Sequence, residues 1–166
     1  MTRMIRTMSL TLACLIVALP AAHTARADGA KGHESHEPHS LAGAPGDLAK
    51  VGKVIHVRML DSMRFEPHRM VVRSGQTVKF VVTNAGKLRH EFGIGTRDEH
   101  RAHGEMMLAD PEMKHEDGSA ITVEPGQTKE LVWRFGKPGM FEAACQVPGH
   151  YPAGMMSTIV VKGKAG

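Results

Sequence analysis

One short segment near the C-terminus contains three different metal-binding side chains at regular spacing. Cys145, His150 and Met155 form the pattern Cys-x4-His-x4-Met, which begins where one predicted strand ends and finishes where the next begins. Proline and glycine residues within the segment restrict its turns. A connection this short should bring all three side chains to one end of a sheet. Thiolate, imidazole and thioether groups are the ligands that soft transition metals prefer.

Copper is the metal that this set of donors suits best. A thiolate and two imidazoles in a trigonal arrangement, with a weak axial thioether, accommodate both Cu(I) and Cu(II). The second imidazole must come from another part of the chain, and His90 fits because it follows a Val-rich predicted strand and a turn. The sequence therefore predicts one type 1 copper site, whose ligands are His90, Cys145, His150 and Met155.

Other interpretations of these residues remain open at this point. Zinc also binds sets of one cysteine and two histidines, although the methionine spacing favours copper. Met156 competes with Met155 for the axial position, but neighbouring residues at the start of a strand point to opposite sides. Taken without its neighbours, Cys145 would more often be a small buried apolar residue than a metal ligand.

The N-terminus predicts an exported protein. Arg3 and Arg6 precede an apolar run over residues 10–22, and Ala25-Arg26-Ala27 resembles a cleavage site. Residues 1–27 are therefore predicted to be a signal peptide that is cleaved after Ala27. The apolar run is too short to span a bilayer comfortably, so we expect a periplasmic protein with no stable membrane anchor after cleavage.

Cleavage would change both the cysteine content and the charge. Cys14 would be lost, so Cys145 would have no partner for an intrachain disulfide and would need burial or a metal to protect it from oxidation. The three arginines at positions 3, 6 and 26 would also be lost while all 17 acidic residues remain, which lowers the formal net charge from +4 to +1. With no basic block in the remaining chain, we expect no binding to nucleic acid.

Seven to eight short strands are predicted to position the ligands. These segments alternate apolar with polar residues or are rich in valine, and turns containing Gly and Pro separate them. They lie at residues 53–60, 65–72, 77–83, 90–94, 121–123, 130–135, 140–144 and 157–162. Glu124-Pro125-Gly126 predicts a hairpin turn. Residues 98–108 predict a helix, which Asp110-Pro111 ends. The predicted fold is an all-β Greek-key sandwich with a helical insertion.

Further histidines and methionines are candidates for additional weak copper sites. Residues 28–50 have few large apolar side chains and are predicted to form a disordered leader that contains His33, His36 and His39. This His-x-x-His-x-x-His tract either binds Cu(II) or Zn(II) weakly or is simply solvated. On the predicted helix, His100, His103 and Met107 share one face, where they either hold Cu(I) or pack against the sandwich.

Taken together, the motifs resemble the cupredoxins, which are type 1 copper proteins. The resemblance covers roughly residues 50–163, so the cupredoxin domain is assigned to residues 51–166. It rests on Phe65-x-Pro67, Ser74-Gly75-Gln76-Thr77-Val78-Lys79-Phe80, Asn84-x-Gly86-x-x-x-His90-Glu91-Phe92 and Cys145-x4-His150-x4-Met155. The His-rich exported leader is most similar to that of the bacterial periplasmic copper-tolerance members.

The chain departs from the family pattern at one position. Several blue copper proteins place Asn directly after the first histidine ligand, where it ties the ligand loops together. Glu91 occupies this position here. The surroundings of the sulfur, and with them the reduction potential and colour, are therefore expected to differ from those of these relatives.

Two functions fit the resemblance. The first is copper tolerance, in which the protein binds excess periplasmic copper and also oxidises Cu(I) to Cu(II). The alternative is a one-electron carrier between periplasmic redox proteins, so the expected partners are copper ions and a redox protein. Enzymes such as oxidases or nitrite reductases are disfavoured, because they need further copper centres and this chain has a single domain of this kind.

Overall fold

Two five-stranded sheets, packed face to face, and one α-helix make up the part of the protein that the computed structural model describes, which is residues 40–114 and 118–164. A short 3-10 helix, Leu48–Lys50, precedes the second strand. The remaining elements in chain order are β1 (Gly43–Pro45), β2 (Val51–Leu60), β3 (Arg64–Glu66), β4 (Arg69–Arg73), β5 (Thr77–Asn84), β6 (His90–Gly95), α1 (Arg97–Ala109), β7 (Ala120–Val123), β8 (Thr128–Phe135), β9 (Gly139–Ala144) and β10 (Met156–Lys162).

The topology brings three separate chain segments together at one end of the strands of the second sheet. The first sheet has the strand order β1-β8-β5-β2-β3, and the second has the order β4-β10-β9-β6-β7. In the second sheet β9 lies between β6 and β10 and runs antiparallel to both. The end of β9 therefore lies beside the starts of β6 and β10, because antiparallel neighbours run in opposite directions.

The prediction of an all-β sandwich with a helical insertion is confirmed, and the described residues form ten strands instead of the seven to eight expected. One additional strand arises because the segment predicted at residues 65–72 is divided at Pro67. Its first part, β3, pairs with β2, whereas its second part, β4, pairs with β10 in the other sheet. A proline cannot donate to a strand ladder, which makes this position suited to the crossing between sheets.

The hairpin predicted around Glu124-Pro125-Gly126 is wrong. β7 pairs with β6 in the second sheet, whereas β8 pairs with β5 in the first sheet. The turn residues therefore direct the chain across the sandwich instead of folding it back on the preceding strand. A Pro-Gly turn is compatible with either path, and only the packing of the two sheets decides between them.

Residues 40–50, which the sequence analysis assigned to a disordered leader, contain β1 and the short 3-10 helix. β1 forms an antiparallel pair with β8, in which Gly43 lies opposite Phe135. A Cβ atom on Gly43 would lie 2.1 Å from the carbonyl oxygen of Arg134, so only glycine permits this close approach. Ala42 is fully buried, and its carbonyl oxygen accepts a hydrogen bond from Nε1 of Trp133. His33, His36 and His39 lie outside the described residues.

Aromatic side chains between the sheets fix the strand that begins with His90. Phe92 is fully buried, and its ring centroid lies 5.6 Å from that of Phe65 and 5.3 Å from that of Phe80. Burial of a phenylalanine side chain contributes about 2 kcal/mol, and aromatic contacts add to this. β6 is therefore held firmly against the first sheet two residues beyond its histidine.

The helix predicted over residues 98–108 is confirmed as α1. Thr96 caps its N-terminus, and Glu99 completes a capping box by accepting a hydrogen bond from the Thr96 backbone N–H. Glycines in β6 allow the helix to approach the sheet, since a Cβ atom on Gly95 would lie 3.0 Å from the Glu99 carboxylate. No helix among the described residues is long and apolar enough to cross a membrane.

Candidate metal centre

The predicted ligands lie at the end of the second sheet at which β9 finishes. His90 is the first residue of β6, Cys145 directly follows β9, and Met155 directly precedes β10. The register places Met155 beside Cys145, since Met156 pairs with Ala144. On the other side Gly93 pairs with Ala144, so His90 lies three residues before the paired position in β6. His150 lies in the connection between β9 and β10, as the spacing predicted.

Three of the predicted ligands converge on one point. Nδ1 of His90 lies 3.2 Å from Nδ1 of His150, and that atom lies 3.4 Å from Sγ of Cys145. One donor atom from each of these residues lies within 4.8 Å of the others. His90 and Cys145 are fully buried, whereas His150 is only partly buried and reaches the surface.

The electrostatic environment favours the neutral form of all three donors at neutral pH when no metal is bound. Burial lowers the pKa of His90, and burial together with the neighbouring His90 lowers the pKa of His150. Burial also raises the pKa of the Cys145 thiol to about 12. The site is thus two neutral imidazoles beside a protonated thiol, and a metal ion must displace the thiol proton to bind. This donor set fits copper, which takes thiolate and imidazole ligands.

The connection between β9 and β10 is closed by its own backbone. The amide of Cys145 donates to the carbonyl oxygen of Met155 over 3.1 Å, and the amide of Met155 donates to the carbonyl oxygen of His150 over 3.1 Å. Gly149 and Gly154 have φ angles of 87° and 96°, a conformation that glycine adopts without strain. These contacts bring the ends of the Cys-x4-His-x4-Met segment together.

The two candidate methionines differ in their surroundings. Met155 is fully buried in the core of the sandwich, whereas Met156 begins β10 and is partly exposed. This is the alternation expected of neighbouring residues at the start of a strand. Burial at the end of the ligand segment favours Met155 over Met156, and its role as the axial ligand stays a prediction.

Asp61 contacts a predicted ligand, and the sequence analysis missed it. Nε2 of His90 donates to Oδ1 of Asp61 over 3.1 Å, on the side of the ring opposite to Nδ1. The same carboxylate accepts hydrogen bonds from the backbone amides of Lys87 and Leu88, at 2.7 Å and 3.2 Å. The amide of Lys87 is the main cause that holds the pKa of Asp61 below its usual value. No local pattern could reveal this pair, because its members are 29 residues apart.

Asn84 fixes the loop that precedes His90. It is fully buried, and its Nδ2 donates to the carbonyl oxygens of Leu88 and Val123 at 2.7 Å and 2.9 Å. Its Oδ1 accepts the amide of Gly86 over 2.9 Å. Asn84, which the sequence analysis gave as part of the family motif before His90, therefore joins the loop before His90 to the end of β7.

The backbone and the side chain of Glu91 have different partners. Its amide donates to Sγ of Cys145 over 3.3 Å, which links the two ligand segments directly. Its carboxylate is buried and points towards α1, where Oε2 lies 3.5 Å from Nε2 of His103. The side chain that occupies the family's asparagine position is thus directed at the helical insertion.

The insertion is also joined to the ligand loop through Glu142 on β9. Its Oε1 accepts a hydrogen bond from Nε of Arg97 over 3.1 Å, and its Oε2 accepts one from the hydroxyl of Tyr151 over 2.5 Å. The carbonyl oxygen of the same residue lies 3.2 Å from Nε2 of His100. Tyr151 directly follows His150, so this network connects the start of α1 to a predicted ligand.

The predicted cluster of His100, His103 and Met107 on one helix face packs α1 against the sandwich. His100 and Met107 are buried, and the two histidines turn to different partners, the carbonyl oxygen of Glu142 and the carboxylate of Glu91. Within residues 40–114 and 118–164, the one group of three converging His, Cys, Asp or Glu donors is that of His90, Cys145 and His150.

Comparison with known proteins identifies curated relatives of similar sequence. Residues 53–162 match the family of copper-binding proteins of the plastocyanin/azurin type. The copper-resistant cuproprotein CopI of Rubrivivax gelatinosus is 47% identical over 120 residues, which cover 72% of this chain and 73% of that protein. The protein of the same name from Vibrio cholerae is 43% identical over 118 residues, 70% of each chain.

Solved structures of similar fold are cupredoxins. Auracyanin B aligns with a TM-score of 0.61 at 18% identity, over 73% of this chain and 96% of that one. Auracyanin A of Chloroflexus aurantiacus, described as a blue copper protein, aligns with a TM-score of 0.57 at 25% identity, over 67% of this chain and all of that one. The sequence match, the fold and the converging His–Cys–His donors agree, and the chain belongs to the plastocyanin/azurin family of copper-binding proteins.

Proposed function

We propose that this protein is exported to the periplasm, binds copper at a type 1 site and protects the cell against excess copper. The proposed ligands are His90, Cys145, His150 and Met155. The observation that carries the proposal is the convergence of two neutral imidazoles and a buried thiol within 4.8 Å at one sheet edge. When bound there, copper supplies a one-electron redox centre with a covalent bond to the thiolate.

The prearranged donors support tight binding of copper. The ordering of the ligand loop is built into the fold, because backbone hydrogen bonds close the loop between Cys145 and Met155. The protein therefore loses little conformational entropy when the metal binds. The predicted N-terminal signal peptide supports delivery of the protein to the compartment in which external copper first arrives.

The role in copper tolerance is supported by the relatives. Proteins that are 47% and 43% identical to this chain carry the name copper-resistant cuproprotein. The His-rich segment with His33, His36 and His39 adds capacity for weak capture of ions. We include in the proposal the oxidation of Cu(I) to Cu(II), in which the electron passes to a redox partner protein.

A one-electron carrier is the second candidate function. It is favoured by the exposure of His150, which reaches the surface while His90 and Cys145 are fully buried. A partner that docks over this ring would exchange electrons through one ligand. A carrier has no need of additional copper capacity, so copper stoichiometry and growth phenotype separate the two functions.

Growth of a deletion strain at increasing copper concentrations tests the proposal. Loss of the gene should sensitise cells to copper and leave respiration at low copper intact. Complementation with the natural gene should restore tolerance, and Cys145→Ser should fail to do so. Met140→Leu is the matched control, because Met140 is 72% exposed and lies outside the site. A deletion strain that tolerates copper normally but loses an electron-transfer step would support the carrier instead.

A further inference from the structure

A carboxylate occupies the outer side of one predicted copper ligand. Oδ1 of Asp61 lies 3.1 Å from Nε2 of His90, and the Nδ1 atom of the same ring faces His150 and Cys145. His90 is fully buried, whereas about a third of the Asp61 side chain is exposed to solvent. The ring thus lies between the proposed metal position and a fixed negative charge.

This contact determines which nitrogen of His90 carries the proton. An ionised carboxylate only accepts hydrogen bonds, so Nε2 must be the N–H that donates to it. A neutral imidazole has one N–H, and Nδ1 is therefore left with its lone pair directed at the other donors. The tautomer that metal binding requires is present before a metal arrives.

The same carboxylate also holds the backbone that leads into His90. It accepts hydrogen bonds from the amides of Lys87 and Leu88 at 2.7 Å and 3.2 Å. Gly86 lies directly against it, since a Cβ atom on Gly86 would be 2.0 Å from Oδ1. One side chain in the turn after β2 therefore constrains both the ring of His90 and the loop that delivers it.

We propose that Asp61 is a positioning residue that orients His90 for copper and, by its charge, lowers the reduction potential of the bound metal. A carboxylate that accepts from a ligand imidazole makes that imidazole a stronger donor. Added donor strength and negative charge both stabilise Cu(II) more than Cu(I). This inference rests on the proposed type 1 site, because it assigns His90 as a ligand.

Substitution by asparagine separates the charge from the shape of the side chain. Asp61→Asn keeps a carbonyl oxygen that can accept one N–H and removes the negative charge. We expect the copper-loaded variant to keep its visible absorption but to have a higher reduction potential. Its affinity for Cu(II) should fall about 10-fold to 100-fold, the range typical for loss of such a partner.

Asp47→Asn is the matched control. Asp47 also accepts a backbone hydrogen bond, from Ala49, but its charged partner is Lys50 instead of a predicted copper ligand. This variant should keep the potential and the copper affinity of the natural protein. If both variants leave the potential and affinity unchanged, or if both shift them equally, Asp61 has no specific role at the site.

The tautomer of His90 in the metal-free protein tests the inference independently of copper. Nitrogen-15 NMR should find Nε2–H at His90 in the natural protein and a mixture of tautomers in Asp61→Ala. The same tautomer distribution in both proteins would overturn the orienting role. Suppose instead that Asp61→Ala changes the tautomer as expected but the copper-loaded natural protein lacks type 1 absorption. That result would contradict the proposed copper site and leave the orienting role of Asp61 intact.

Discussion

The backbone amide of Glu91 donates a hydrogen bond of 3.3 Å to Sγ of Cys145. This contact joins the start of β6 to the end of β9 and does not depend on the side chain at position 91. The presence of Glu instead of the family's Asn at position 91 therefore leaves the backbone link to the sulfur in place. What changes is the side chain, which faces His103 on α1.

Cys145→Ser should abolish the visible absorption of the copper-loaded protein. The natural protein should absorb strongly when oxidised, because the thiolate transfers charge to Cu(II), and a serine hydroxyl forms no such bond. Absorption and EPR spectra of both proteins after titration with Cu(II) measure the effect. Colourless copper-loaded natural protein would refute the type 1 assignment.

Met155→Leu should raise the reduction potential while the colour is retained. Loss of a weak thioether donor destabilises Cu(II) relative to Cu(I). Leucine has a similar volume to methionine, so the buried position should lose less than about 1.5 kcal/mol of stability. Redox titration followed by absorption measures the potential. Met156→Leu is the control, and a shift in that variant with none in Met155→Leu would mean that the axial ligand is Met156.

Tyr151→Phe should lower stability and disturb the copper spectrum. The substitution removes the hydroxyl that donates to the carboxylate of Glu142, a bond to a charged group worth about 2 kcal/mol. Because Tyr151 follows His150, the ligand loop should become less constrained and the EPR parameters should shift. Urea unfolding of Tyr151→Phe, Glu142→Gln and the double variant gives the coupling energy. Effects that simply add would show that the two residues act separately.

The fold was predictable where short-range patterns decide it. Alternation and turn residues located β2, β5, β6 and β8–β10 to within a few residues. The burial of β2, β5, β8 and β10 alternates along the strand, which explains the pattern, whereas β6 is buried along its whole length. The partner of each strand was not predictable from these signals. β7 and β8 are adjacent in the chain and lie in different sheets, a choice that depends on how the whole core packs.

The site was predictable to the extent that its residues lie in one short loop. Cys145 and His150 are five residues apart, and the loop between two adjacent strands forces them together. Asp61 and Glu142 escaped prediction because their partners, His90 and Arg97, are 29 and 45 residues away in the chain. Such contacts arise only when the two sheets and α1 are assembled.

The junction between the N-terminal segment and α1 should make stability depend on acidic pH. The carboxylate of Glu99 accepts hydrogen bonds from Ser40 Oγ and from the amides of Leu41 and Thr96. Burial by itself raises the pKa of Glu99, but these hydrogen bonds outweigh it and hold the pKa below the ordinary value of 4.5. The folded state therefore favours the ionised form.

Glu99→Gln should remove this dependence. The stabilisation by ionised Glu99 is fully present above pH 4.5 and is lost as the pH falls through the lower pKa of the folded state. At pH 7 the variant should be less stable by about 1–2 kcal/mol, because a charge-assisted acceptor is lost. As the pH falls, the free energies of unfolding of the two metal-free proteins, measured with urea, should converge. Glu105→Gln is the control, because Glu105 is exposed on the same helix. Its free energy of unfolding should equal that of the natural protein at every pH. The difference in free energy of unfolding between Glu99→Gln and the natural protein could instead stay constant from pH 7 to pH 3. This result would show that the charge of the carboxylate does not hold residues 40–42 against α1.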